Sequence, residues 1–217
     1  MGFGRGLGLS ALFGALILGA CGQGPDGATE GPASELSSPL TAASALLVVG
    51  NTTLNAGDQA LSQRLSTLGF SVVVQRDSAA TTADATGKAL VLISSTVTSG
   101  AVGTKFKTVA VPVLVWESAL LDDMGMTSTG NGTDYGTSGG QSRVVMVASS
   151  SDPMAAGLSG TQTVTSAASS FTWGKAGTGA VVVARLESNA GRAAVLRYAK
   201  GAAMFGQSAP ERRTASS

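Results

Sequence analysis

The fold is decided by the stretch ALLVVG (residues 45–50), DQALSQRLSTLG (58–69) and FSVVVQ (70–75). Each outer run is short, apolar and bounded by turn formers, which is typical of a strand buried in a parallel sheet. In the middle segment the leucines recur at helical spacing, with Asp58 placed to cap the helix and Gly69 to end it. The stretch therefore predicts a strand, a crossover helix and a second, parallel strand.

The same pattern continues further along the chain. ALVLI (89–93) and VPVLVW (111–116) repeat the buried-strand signature. Between them, Val102, Phe106 and Val109 are spaced to face the sheet from a short helix. Buried strands that alternate with helical segments predict an α/β fold with a parallel sheet.

The second half changes character. Residues 127–142 are mostly Gly, Ser and Thr, and are expected to form a long loop. Short strand-like runs follow at 144–148, 162–165, 181–186 and 193–198. The last two flank a turn-rich link, ESNAGR, which predicts an antiparallel hairpin. We therefore expect a parallel sheet extended by antiparallel strands.

The N-terminus is typical of a bacterial lipoprotein signal peptide. In residues 1–20 the only charge is Arg5, and an apolar run of about 12 residues is shorter than the roughly 20 that span a bilayer. The segment ends in Leu-Gly-Ala before Cys21, which resembles the lipobox. We expect cleavage before Cys21 and lipid on its sulfur, which would anchor the protein to a membrane, the outer one in a Gram-negative cell. An ordinary secretory signal with an incidental cysteine is the alternative.

Composition narrows the classes of partner and cofactor. Residues 21–43 contain almost nothing apolar to bury and read as a flexible lipid tether. With 14 basic and 13 acidic side chains and no basic cluster, nucleic acid is not an expected partner. One cysteine leaves no disulfide within the chain, and the lack of histidine removes the usual zinc and copper sites. No cofactor is expected.

Two phrases carry a family resemblance: SSTVTSGAVGTKFKTVAVPVLVWESALLDDMGM (94–126) and DPMAAGLSG (152–160). They resemble a bacterial family of the class I glutamine amidotransferase-like group, related to trehalose-utilisation-type proteins. The resemblance implies a three-layer, flavodoxin-like α/β domain, here at residues 44–206. Members often occur as accessory domains in secreted proteins, some beside carbohydrate-active modules.

The resemblance does not extend to the founding reaction. Amidotransferases of this group use a cysteine nucleophile and a histidine base, whereas this chain has no histidine and its only cysteine is Cys21. We therefore expect a noncatalytic binding or accessory module with a small-molecule or glycan ligand. One alternative is a carboxylate-dependent hydrolase or lyase centred on Glu117, with Asp122 or Asp123. Another is a degenerate product with no retained function.

A ligand site is expected beyond the carboxyl ends of the parallel strands. The polar residues that fall there are Asn51, Thr52, Ser95, Thr96 and Glu117. Together they predict a small polar pocket with one carboxylate. Alternatively, Glu117 caps a helix or pairs with an arginine.

Three further patterns have a functional and a plain structural interpretation. Asp122, Asp123 and Asp134 are candidate calcium ligands, but their spacing fits no EF-hand, and a solvated acidic loop is the alternative. The string GTSGG (136–140) matches G-x-S-x-G, although no strand precedes it and no histidine can serve as base. The third pattern, a set of aromatic side chains, is either a sugar-stacking platform or part of the core: Trp116, Tyr135, Phe171 and Trp173.

At the end of the chain the resemblance and the sequence diverge. Relatives continue past a Pro-x-Arg-Arg stretch into an apolar strand and a helix, whereas here PERR (210–213) is followed by TASS. We expect residues 207–217 to be a disordered tail, with the family's last strand and helix missing. An exposed strand edge and marginal stability would follow. The alternative is that the remaining strands close up into a complete domain.

Overall fold

The computed structural model describes residues 43–216. The predicted signal peptide, Cys21 and all but the last residue of the predicted tether lie outside that range. Within it, eleven strands form one mixed sheet, and two short strands form a separate ribbon. No helix in this range combines the length and the apolar character needed to cross a bilayer.

The first half forms the parallel part of the sheet, as predicted. Its elements are β1 (Ser44–Val49), α1 (Ala56–Thr67), β2 (Ser71–Arg76), a 3₁₀ helix (Thr82–Ala85), β3 (Leu90–Ile93), α2 (Ser99–Val102), β4 (Val113–Val115) and a second 3₁₀ helix (Ser118–Leu120). β1 lies between β2 and β3, and β4 lies beyond β3, all of them parallel. The α/β class is therefore confirmed.

The second half adds strands that are mostly antiparallel. They are β5 (Tyr135–Gln141), β6 (Arg143–Met146), β7 (Thr161–Thr163), β8 (Ser169–Gly174), β9 (Ala180–Leu186), β10 (Asn189–Tyr198), β11 (Ala203–Met204), β12 (Gln207–Ser208) and β13 (Arg213–Ser216). β9 and β10 form the predicted hairpin, with bulges. β6 pairs with both β9 and β7, while β11 and β12 form the ribbon.

Both faces of the parallel strands are covered. On one face, Leu47 and Val49 pack with Leu65 of α1. On the other face, the core includes the predicted Val102, Phe106 and Val109, although only the single turn of α2 is helical there. A further cluster lies around Phe171, Trp173 and Leu186 of the antiparallel strands. The sheet is thus covered by one full helix and several short helical turns.

The prediction of a long loop over residues 127–142 is wrong for its second half. Tyr135–Gln141 form β5, which pairs with β8 in an antiparallel ladder. Glycine weakens a strand, but here the partner strand supplies the packing. Gly136 lies beside the indole of Trp173, since a Cβ built on it would be in van der Waals contact with the ring at 3.4 Å. The packing of β8 therefore overrides the low strand propensity of β5.

The prediction of a disordered tail from residue 207 is also wrong. Gln207–Ser208 form β12, and Arg213–Ser216 form β13 in the interior of the sheet, parallel to β4 and antiparallel to β10. Thr214 and Ala215 are 5% and 3% exposed. A short strand with a neighbour on each side is stabilised by two hydrogen-bond ladders, so it does not need large apolar side chains of its own.

Candidate functional site

A cavity of about 250 Å³ opens near the carboxyl ends of β3 and β4. The chain runs from β1 to β2 on one side and then to β3 on the other, so the strand order reverses between β1 and β3. Open α/β sheets bind their ligands at this kind of position. The cavity is lined from α1, from the segment after β3 and from the residue after β4 by Asn55, Gly57, Asp58, Leu61, Ser94, Ser95, Thr96 and Trp116.

The start of α1 brings a carboxylate into this cavity. Asn55 caps the helix, because its Oδ1 accepts a hydrogen bond of 2.8 Å from the backbone N–H of Asp58. Asp58 is therefore inside the first turn and is not the cap, which corrects the sequence prediction. A negative charge is favourable there, close to the positive end of the helix dipole. The Asp58 residue is 6% exposed.

Two hydroxyl groups hold the carboxylate of Asp58. Ser94 Oγ donates to Oδ1 at 2.6 Å, and Thr96 Oγ1 donates to Oδ2 at 3.0 Å. The hydroxyl oxygens in turn accept from the backbone, from Thr96 N at 3.1 Å and from Gly50 N at 3.2 Å respectively. The network links α1 to the segments that follow β1 and β3, so the carboxylate has a defined position.

The segments after β1 and β3 are in direct contact at Gly50. A Cβ built on this glycine would lie 2.1 Å from the backbone carbonyl oxygen of Thr96. Any larger residue would push the two segments apart, together with the hydrogen bond from Gly50 to Thr96. This glycine is therefore required for the close approach that shapes the site.

The structure brings together only some of the predicted site residues. Ser95 and Thr96 line the cavity. Asn51 and Thr52 are exposed, and the side chain of Asn51 accepts a hydrogen bond from Thr53 N in a turn. Glu117 accepts from Ala119 N at 3.0 Å and caps the short helix that follows it. The geometry of Glu117 thus matches the alternative interpretation, that of a helix cap.

Asp58 and Ser94 were not predicted to be site residues. A signal for Asp58 was present, since Asn55 three residues before an acidic residue is a common start of a helix. That spacing would have moved the start of α1 forward and placed the carboxylate in its first turn. Ser94 has no comparable signal, because its burial depends on α1 packing over the end of β3.

The acidic residues proposed as calcium ligands do not form a three-carboxylate group in the described part of the chain. Asp134 accepts from Gly130 N at 3.1 Å and lies 3.8 Å from the Lys175 ammonium. Burial, followed by the charge of Asp122, raises the pKa of the Asp123 carboxyl. In residues 43–216, no group of three or more His, Cys, Asp or Glu side chains is arranged to hold a metal ion.

The aromatic residues divide into core and cavity. Tyr135, Phe171 and Trp173 are buried, and the Arg192 guanidinium lies 4.1 Å from the centre of the Trp173 ring. These three side chains are therefore part of the core. Trp116 is half-buried and lines the cavity.

The string that resembles a hydrolase motif, GTSGG (136–140), lies within strand β5, and not on the sharp turn that a nucleophilic serine needs.

Other cavities are lined differently. One of them has two charged side chains, Asp84 and Lys88, but no aromatic side chain among its described lining residues. The one between residues 176–178 and the β11–β12 ribbon has a volume of about 340 Å³ and is lined by no charged side chain of the described chain.

No protein-family model matches the sequence, and no curated protein matches it. A functional assignment therefore depends on the carboxyl-edge cavity, which combines a charged, a hydroxyl-bearing and an aromatic lining.

Proposed function

We propose that this chain is a lipid-anchored protein of the bacterial cell envelope whose domain binds a small polar ligand, a single sugar ring. The observation that carries the proposal is the cavity at the point where strand order reverses, with Asp58, three hydroxyl side chains and the Trp116 indole in its lining. Drug-sized ligands occupy roughly 300–1,000 Å³, so about 250 Å³ suits one ring. An indole can cover the apolar face of a sugar while polar groups meet its hydroxyls.

We interpret the fold as a derivative of the flavodoxin-like, amidotransferase-like type. Its support is the strand order β2-β1-β3-β4-β13, in which β13 is parallel to β4. This order corresponds to the 2-1-3-4-5 arrangement of flavodoxin-like sheets. The packing of α1 on one face is consistent with a layered arrangement.

A binding role without catalysis is favoured by the side chains present. The chain has no histidine and no cysteine besides Cys21, so a thiolate with an imidazole base cannot form. The alternative of a hydrolase or lyase centred on Glu117 loses support, because that carboxylate caps a helix. A panel of glycoside substrates tests this alternative, and turnover that disappears in Glu117→Gln would favour it.

Trp116→Leu is expected to weaken sugar binding by at least about tenfold, or about 1.4 kcal/mol. Leucine keeps an apolar side chain against the buried cluster that includes Leu47 and Leu92, but removes the flat ring that would cover a sugar. The measurement is calorimetric titration of residues 21–217 carrying Cys21→Ser with a panel of monosaccharides. Phe205→Ala is the matched control, since Phe205 is an exposed aromatic residue of another cavity. Absence of binding by the whole panel would contradict the proposal.

Cys21→Ser is expected to move the protein from the membrane fraction to an unprocessed or soluble form. A serine cannot carry the thioether-linked lipid, and acyl chains supply the membrane affinity of such anchors. Fractionation of host cells, with the mass of the N-terminal peptide, measures the change. Ser37→Ala in the tether should remain with the membranes. A Cys21→Ser protein of unchanged location and mass would refute the lipid anchor.

A further inference from the structure

We propose that the ligand of the carboxyl-edge cavity carries a protonated amino group, which binds at Asp58. This inference rests on the proposed function, because it presupposes that the cavity binds a small ligand. It goes further by naming the chemical class, a cationic amine such as an amino sugar, and by assigning Asp58 as the residue that selects it.

The hydroxyl hydrogens at the bottom of the cavity favour a ligand that donates hydrogen bonds. A hydroxyl group has a single hydrogen to donate. The Ser94 and Thr96 hydroxyls lie within hydrogen-bond distance of the Asp58 carboxylate and 3.0 Å from each other, so each hydrogen is used among these three side chains. Their oxygens are already approached by the backbone N–H groups of Thr96 and Gly50. What remains at these three side chains is acceptor capacity, so a ligand group that reaches them has to donate hydrogen bonds.

The charge of the cavity lining favours a cationic ligand. None of the ion pairs found within residues 43–216 includes Asp58. Likewise, no lysine or arginine is among the described residues that line the cavity. The hydroxyl donors and the first turn of α1 compensate the buried charge only in part. A cationic donor completes the compensation, whereas a ligand with a phosphate or carboxylate at this position is repelled.

The aromatic residue of the cavity lining also favours a cation. Trp116 lines the same cavity of about 250 Å³, so a ligand that fills this space contacts both the indole and Asp58. Among aromatic side chains, indole attracts cations most strongly. A carboxylate and an indole in one small cavity therefore favour an ammonium group over a neutral hydroxyl. A merely structural role for Asp58, as a tie between α1 and β3, would give no such preference.

The test compares three probes that share one ring: D-glucosamine, D-glucose and D-glucuronic acid. Residues 21–217 carrying Cys21→Ser are titrated with each, at a pH where the amine is protonated. We expect D-glucosamine to bind at least about tenfold more tightly than D-glucose, and D-glucuronic acid to bind more weakly than both. Equal affinity for D-glucosamine and D-glucose overturns the inference and leaves the proposed function intact. Failure of all three to bind overturns both.

Asp58→Asn provides the decisive variant. The amide has almost the same shape and can still accept the hydrogen bond from Ser94, but it lacks the charge. We expect the preference for D-glucosamine to disappear, so that the ratio of the D-glucosamine affinity to the D-glucose affinity falls to about one. Asp77→Asn is the matched control, because Asp77 is also buried, at 4% exposed, and bonds Ser78 N and Thr98 N outside the cavity lining.

A second variant keeps the inference testable if Asp58→Asn fails to fold, which its melting curve would reveal. Trp116→Leu should reduce the affinity for D-glucosamine by a larger factor than the affinity for D-glucose. Retention of the full D-glucosamine preference in a folded Asp58→Asn protein would show that another group selects the amine. Equal losses for both sugars in Trp116→Leu would contradict the part assigned to the indole.

Discussion

Arg213→Ala is expected to lower the free energy of unfolding by about 3–5 kcal/mol, whereas Arg212→Ala costs less than about 0.5 kcal/mol. The two arginines are neighbours in the chain but differ fully in environment. Arg213 is 0% exposed, and Arg212 is exposed. The pair is therefore a sharp test of whether this part of the chain is inside the sheet.

The large effect of Arg213 follows from the groups that it satisfies. Nη2 donates to the carbonyl oxygens of Val109, at 2.6 Å, and Lys107, at 3.3 Å. Nη1 donates to the carbonyl oxygen of Val111 at 2.9 Å, and to those of Glu211 and Arg212, the two residues that precede Arg213 in the chain. Burial lowers the pKa of this guanidinium to about 10, so it remains charged at neutral pH. Removing it leaves buried carbonyl oxygens without donors, each of which costs about 1–3 kcal/mol.

Denaturant unfolding of the two variants measures the difference. Arg213→Lys should fall between wild type and Arg213→Ala, because an ammonium group keeps the charge but cannot span the same set of carbonyls. If Arg213→Ala and Arg212→Ala unfolded at the same denaturant concentration, the central position of β13 would be refuted.

A stop codon in place of Arg213 is expected to abolish cooperative folding. β13 is hydrogen-bonded on both sides, with β4 and with β10. Its loss opens two strand edges in the interior of the sheet and exposes core residues around Ala215. The expected loss matches or exceeds the about 5–15 kcal/mol that stabilises a typical domain.

Circular dichroism and size-exclusion chromatography test this truncation. We expect no sigmoidal melting transition, together with association through the open edges. Removal of Ser217 alone, which lies outside the described range, is the control and should leave the transition in place. A truncated protein that stays monomeric and melts cooperatively would show that the parallel and antiparallel strands hold together without β13.

The first half of the fold could be predicted because strands buried on both faces leave continuous apolar runs in a sequence. ALLVVG was predicted as a strand at residues 45–50, and β1 spans Ser44–Val49. The helix predicted from Asp58 begins at Ala56, since the cap is Asn55. Such differences of two residues at element ends are small for the fold but decisive for the direction of a side chain.

The other elements could not be predicted because neighbours supply what their own residues lack. β5 is rich in Gly and Ser and depends on β8, while β13 is RTAS and depends on β4 and β10. In the site, the rule for strand ends indicated Ser95 and Thr96, which line the cavity. It also indicated Glu117, because proximity to a strand end does not tell which way a side chain turns. Asp58 became visible only once Asn55 was recognised as the cap.

The position of β13 also determines the order in which the domain can form. A ribosome, or a translocation channel fed from the N-terminus, releases β13 after every other described strand. Until then β4 and β10 have no shared partner strand. Contacts between residues so distant in the chain close slowly. The sheet can therefore be completed only after β13 has emerged.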